Sequence, residues 1–152
     1  MDWPVALLAA AALVAIATAA GFAMRARTGR VSTVSPASDA PARPDAADLP
    51  LAPGALGAEA TLVQFSTEYC SRCPATARAL GELAGRYEGV RHVEIDLTRD
   101  ARLADRFGIV QTPTTLVLDH AGARVARIGG VPRTADLTAL LDRLTGSDHV
   151  PA

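Results

Sequence analysis

Residues 67–74 read TEYCSRCP and hold both cysteines of the 152-residue chain. Two thiols spaced C-x-x-C fit a redox dithiol, half of a metal site, or a structural staple. Two cysteines are too few to frame a disulfide-rich mini-protein. A closed zinc site needs four ligands, and the imidazoles His92, His120 and His149 form no ligand-spaced pair. A two-thiolate Cu(I) site stays open on these residues, as does a binding module with an idle dithiol.

Working outward, TLVQF (61–65) is a short β-prone run that leads directly into the cysteines. Beyond them, Ala77, Leu80, Leu83, Ala84 and Tyr87 recur at helical spacing, which predicts a helix from about Ser71 to Tyr87, ended by Gly89. HVEIDL (92–97) alternates as a strand does, and Asp100–Phe107 reads as a short helix closed by Gly108. TTLVLD (114–119) has the apolar run of a buried strand. A turn at residues 120–122 pairs it with ARVARI (123–128) as a hairpin. Thr134 is expected to cap a last helix carrying Leu137, Leu140, Leu141 and Leu144 on one face. The order is β-α-β-α-β-β-α.

The N-terminal part has a different texture. Trp3–Met24 is an uncharged apolar run of 22 residues. As a helix rising about 1.5 Å per residue it covers a hydrocarbon core of about 30 Å. A signal peptide would carry a positive n-region, whereas this chain starts Met-Asp-Trp-Pro, so the run reads as an uncleaved membrane anchor over residues 1–24. Arg25, Arg27 and Arg30 follow it, and by the positive-inside rule they keep that flank, and the domain behind it, in the cytoplasm. An extracytoplasmic domain is the alternative. Residues 25–58, with five prolines among Ala, Ser and Asp, read as a mobile tether. Residues 59–146 form the domain and 147–152 a tail. The net charge of −1 argues against a nucleic-acid surface.

A strand, a C-x-x-C opening a helix, a second strand with Asp near its end, and a Thr-Pro entering a hairpin together resemble a thioredoxin-fold domain. Thr112-Pro113 falls 43 residues after Cys70, and Gly129-Gly130 after the last strand is similar to the family's pattern. The resemblance implies a three-layer α/β/α domain with a mixed central sheet, preceded by one N-terminal transmembrane helix. The family's usual first strand and helix look absent or reduced. It implies thiol–disulfide exchange, more in the manner of a protein-disulfide reductase, with no cofactor. The partners are a protein disulfide, a thiol electron donor, and the membrane through residues 3–24. Cys70 is then the nucleophile and Cys73 the resolving thiol. A helix N-terminus favours a thiolate, Arg72 adds a cation, and Glu68 opposes it. The resemblance also makes the Thr112–Pro113 bond cis, with Tyr69, Thr112 and Pro113 meeting substrate.

The chain departs from the family at several positions. Tyr69 stands where Trp is usual, and Gln64 stands for the buried Asp credited with proton transfer to the resolving cysteine. The Lys that usually faces this Asp falls on His92. Pro74 removes an N–H that could have bonded the Cys70 carbonyl, which leads us to expect a distorted first helical turn.

Overall fold

The structure, a computed structural model, describes residues 3–33 and 46–146. Strand β2 (Ala60–Ser66) is buried along its whole length, as a strand with packed layers on both faces must be. It pairs in parallel with β3 (Val90–Asp96) and antiparallel with β4 (Thr114–Asp119). β4 pairs antiparallel with β5 (Arg124–Gly129), which pairs antiparallel with the two-residue β1 (Ser32–Thr33). The sheet is therefore mixed, in the order β1-β5-β4-β2-β3.

Alternation along β2 divides the core. Leu62 joins Leu80, Leu83, Leu137 and Leu141 under helices α2 (Cys73–Ala84) and α4 (Thr134–Thr145). Val63 and Phe65 face the other way, with Leu103 and Phe107 at helix α3 (Ala101–Arg106). The Phe65 and Phe107 rings lie 5.5 Å apart at a tilt of 40°. The expected α/β/α layering holds. The Asp100 carboxylate caps α3 by accepting from the Leu103 N–H at 2.9 Å. Thr134, by contrast, is the first residue of α4. Arg133 is its cap residue and makes no side-chain capping bond, so the expected Thr134 cap is not formed.

The N-terminal helix α1 (Trp3–Arg27) is long and apolar enough to cross a membrane, and none of its apolar span is buried in the protein. The expectation of a mobile tether over 25–58 needs correction. α1 runs on to Arg27, Ser32–Thr33 join the sheet, and residues 46–58 lie as a strap across the domain. Leu49 is buried in the core on the α3 side. The Ala46 N–H donates to the Gly122 carbonyl at 3.0 Å, and Arg91 donates to the Gly54 carbonyl at 2.7 Å. Single apolar residues such as Val31 and Leu49, spaced among Ala and Pro, anchor such segments without producing any period. The part of the tether at 34–45 and the tail with His149 lie outside the described residues.

Tyr87 ties the end of α2 to α4. It is 5% exposed and its hydroxyl donates to Asp142 Oδ1 at 2.7 Å. Burial first, then this hydrogen bond and the Asp142 charge, push the hydroxyl from 10.0 up to about 12. The folded state thus prefers the protonated form, so its contribution is complete below pH 10 and is lost as pH rises through about 12. The chain has no lysine to titrate in that window. Urea midpoints should fall more steeply from pH 10 upward for the native chain than for Tyr87→Phe. At neutral pH that variant should lose about 1 kcal/mol.

Candidate active site

Ser66 ends β2, and the turn that follows carries the cysteines to the open end of the sheet. Cys70 and Cys73 are joined in a disulfide, with Cα atoms 5.4 Å apart. The Cys70 N–H donates to the Thr67 carbonyl at 3.0 Å, and the Cys73 N–H donates to the Cys70 carbonyl at 3.1 Å. The carbonyl that Pro74 leaves without its N–H is therefore satisfied one residue earlier. Proline lies in the first turn of α2, where its fixed φ is tolerated. Cys70 sits ahead of α2, and Cys73 is its first residue, so the helix starts two residues later than the expected Ser71. Cys70 is half-buried and Cys73 is 2% exposed.

The other expected residues are distributed around this turn. The Thr112–Pro113 bond is cis, and Thr112 Oγ1 lies 3.4 Å from Thr67 Oγ1. The Pro113 carbonyl accepts from the Gly130 N–H at 2.8 Å, which fixes the proline loop to the loop after β5. Tyr69 is 84% exposed beside Cys70. Arg72 is exposed and lines an apolar groove with Ala75, Ala79, Val131 and Pro132, between α2 and the start of α4. Facing water there, its charge acts on the sulfurs through a high dielectric.

A separate pocket adjoins the cysteines, lined by Ser66, Thr67, Glu68, Cys70, Cys73, Pro74, Glu94 and Asp96. It therefore holds three carboxylates. Hydrogen bonds from the Thr98 hydroxyl and backbone hold the Asp96 carboxyl below its ordinary range, so it stays ionised near neutral pH. The Glu68 N–H donates to Thr98 Oγ1 at 2.9 Å, fastening the loop after β3 to the cysteine turn.

Gln64 is buried beneath the dithiol. Its Nε2 donates to Ser66 Oγ at 2.9 Å, to the Cys73 carbonyl at 3.1 Å and to Glu94 Oε1 at 3.3 Å, while its Oε1 is buried without a partner. Ser66 Oγ also donates to Glu94 Oε1. The strand register pairs Gln64 with Glu94, whereas His92 pairs with Leu62. The position facing Gln64 is thus held by an acid, and the sequence assignment of His92 to it was two residues off. His92 instead packs near Gly81 of α2, and burial, opposed by the Glu94 charge, lowers its pKa. The alternation of HVEIDL put His92, Glu94 and Asp96 on one side, but only the register selects among them.

A strand, a dithiol turn and a helix facing a cis-proline loop define a protein built for thiol–disulfide exchange. The thioredoxin family model matches residues 55–143, more than half of the chain, and the chain belongs to the thioredoxin family. It is 31% identical over 83 residues to thioredoxin C-2 of Corynebacterium nephridii, covering 54% of this chain and 76% of that protein. It is 30% identical over 83 residues to a thioredoxin of Staphylococcus haemolyticus, covering 54% of this chain and 79% of that one. Among solved structures, thioredoxin f2 of Chlamydomonas reinhardtii aligns with a TM-score of 0.50 at 23% identity, covering 57% of this chain and 80% of that one. The disulfide-forming pair within this fold supports thiol–disulfide oxidoreductase activity.

Carboxylates around a thiol disfavour its thiolate. In the reduced protein, Glu68→Gln combined with Asp96→Asn should speed alkylation of Cys70 at neutral pH roughly two- to five-fold. Arg72→Ala should change it less. Iodoacetamide trapping followed by mass spectrometry reads both.

Proposed function

We propose that the protein is a membrane-anchored protein-disulfide reductase whose domain lies on the cytoplasmic side. The observation that carries the direction is the acidic lining of the dithiol pocket, with Glu68, Glu94 and Asp96 beside the sulfurs and Arg72 on a different groove. A strong dithiol oxidant has a stabilised reduced form. Carboxylates act in the opposite sense, favouring the disulfide in this protein and electron donation to others. The membrane and cytoplasmic parts of the reading rest on α1 and on the arginines that follow it.

In this mechanism, Cys70 attacks because its sulfur is accessible and Cys73 is buried. The Cys70 thiolate displaces one substrate sulfur, which leaves as a thiolate and takes a proton. A mixed disulfide remains. Cys73 then gives up its proton and attacks Cys70, releasing the second substrate thiol and forming the Cys70–Cys73 bond. Two electrons pass to the substrate, and a separate thiol donor must restore the dithiol. Tyr69, next to Cys70 in the chain, and Thr112–Pro113, whose Thr112 hydroxyl lies 3.4 Å from that of Thr67, hold the substrate chain in this reading. Glu94, exposed to water on one side and bonded to Ser66 and Gln64 on the other, accepts the Cys73 proton in place of the family's buried Asp.

The deciding measurement is the reduction potential of the full chain in detergent, equilibrated against dithiothreitol and thiol-trapped. A value near −270 mV, as for thioredoxin, supports the reductase, and one near −120 mV overturns it in favour of an oxidant. Cys73→Ser should accumulate a mixed disulfide on Cys70. Glu94→Gln should slow resolution roughly ten-fold or more at pH 7 and flatten its pH profile, with thermal stability little changed.

A further inference from the structure

We propose that the clamp between α1 and the sheet holds the dithiol end of the domain towards the bilayer. The disulfides within its reach are then those carried by membrane proteins close to the lipid surface. This rests on reading α1 as an anchor, and goes beyond it by fixing which end of the domain faces the lipid and what kind of partner fits there.

Strand directions give the first argument. β1 is antiparallel to β5, β5 to β4, and β4 to β2. The start of β1, the end of β5, the start of β4 and the end of β2 therefore share one end of the sheet, and the end of β2 is where the cysteine turn begins. The anchor feeds into the domain at its redox end. The β4–β5 turn at Ala121 marks the opposite end.

Backbone bonds make the entry rigid. The Gly29 N–H donates to the Gly129 carbonyl at 2.8 Å, and the Arg133 N–H donates to the Gly29 carbonyl at 3.1 Å. The next residue, Gly130, donates to the Pro113 carbonyl, so few links separate the anchor from the proline loop beside the dithiol. The segments cross too closely for side chains. A Cβ on Gly29 would lie 2.4 Å from the Val131 carbonyl oxygen, and one on Gly130 would lie 2.5 Å from Thr28 Cγ2. Both glycines have positive φ, +80° and +84°.

Lengths bound the reach. Gly29, Gly129, Thr114 and Phe65 lie on adjacent strands or their extensions, so three inter-strand steps of about 4.8 Å put the end of β2 roughly 15 Å from the clamp. Only Thr28 separates the end of α1 from Gly29. A free tether would let the domain turn in any direction, whereas this clamp does not. Chemistry at the same end agrees with a lipid surface. Exposed Arg30 suits phosphate headgroups, and Tyr69 and Val131 present exposed apolar surface.

The test uses the full chain in phospholipid vesicles, with a fluorophore on Cys70 in Cys73→Ser, or at position 121 in a Cys70→Ser/Cys73→Ser/Ala121→Cys variant. Quenching by headgroup spin-labelled lipid should be at least about two-fold stronger at position 70, because six-residue strands separate the two ends by about 20 Å. A long Gly-Ser insertion between Arg27 and Thr28 should abolish the difference. Equal quenching without the insertion, or stronger quenching at 121, overturns the orientation. Failure to float with vesicles overturns it together with the anchor. The redox reading is judged separately by the potential in detergent.

Discussion

Strand β2 is buried on both faces along its whole length, and every functional part takes its position from it. Its pairing with β3 and β4 sets Gln64 beside Glu94 and Phe65 beside Thr114. Its last residue delivers the cysteine turn to the sheet's open end, with the cis-proline loop alongside. A strand buried in this way has little freedom to slip, because a shift of one residue would exchange Leu62 for Val63 between the two cores. The geometry of the dithiol is thus a property of hydrophobic packing beneath it.

Much of this was legible in the sequence because it depends on local patterns. TTLVLD reads as the strand it forms, the helical stripe of Leu80, Leu83 and Ala84 faces the core, and the Thr112–Pro113 bond is cis as the resemblance implied. What stayed hidden depends on pairing. Glu94 escaped because which residue of HVEIDL faces Gln64 is set by the register of two parallel strands, and alternation alone leaves it ambiguous by two positions. The β1 clamp escaped for a related reason. A strand of two residues has no period, and its stability comes from a partner about a hundred positions away.

The departures from the family act together. An amide stands at position 64 where the family has a buried acid, and an acid faces it from position 94, so the carboxylate nearest Gln64 lies at the edge of the sheet rather than in its interior. The cost of burying a charge beneath the disulfide is avoided, and Gln64 still satisfies the Cys73 carbonyl. The same shift contributes one of the three carboxylates that make the pocket acidic.

Those edge carboxylates have another consequence. Among the described residues β3 is the outermost strand on its side of the sheet, and its exposed positions are Arg91, Glu94 and Asp96. An open strand edge is a template on which further copies can add. A parallel, in-register copy of β3 laid along this edge would set Glu94 and Asp96 against their own copies, which opposes that pairing. On the far side, among the described residues, two-residue β1 leaves only a short edge. Two of the carboxylates that line the dithiol pocket thus also place charge along the sheet's edge, where charge discourages the addition of another strand.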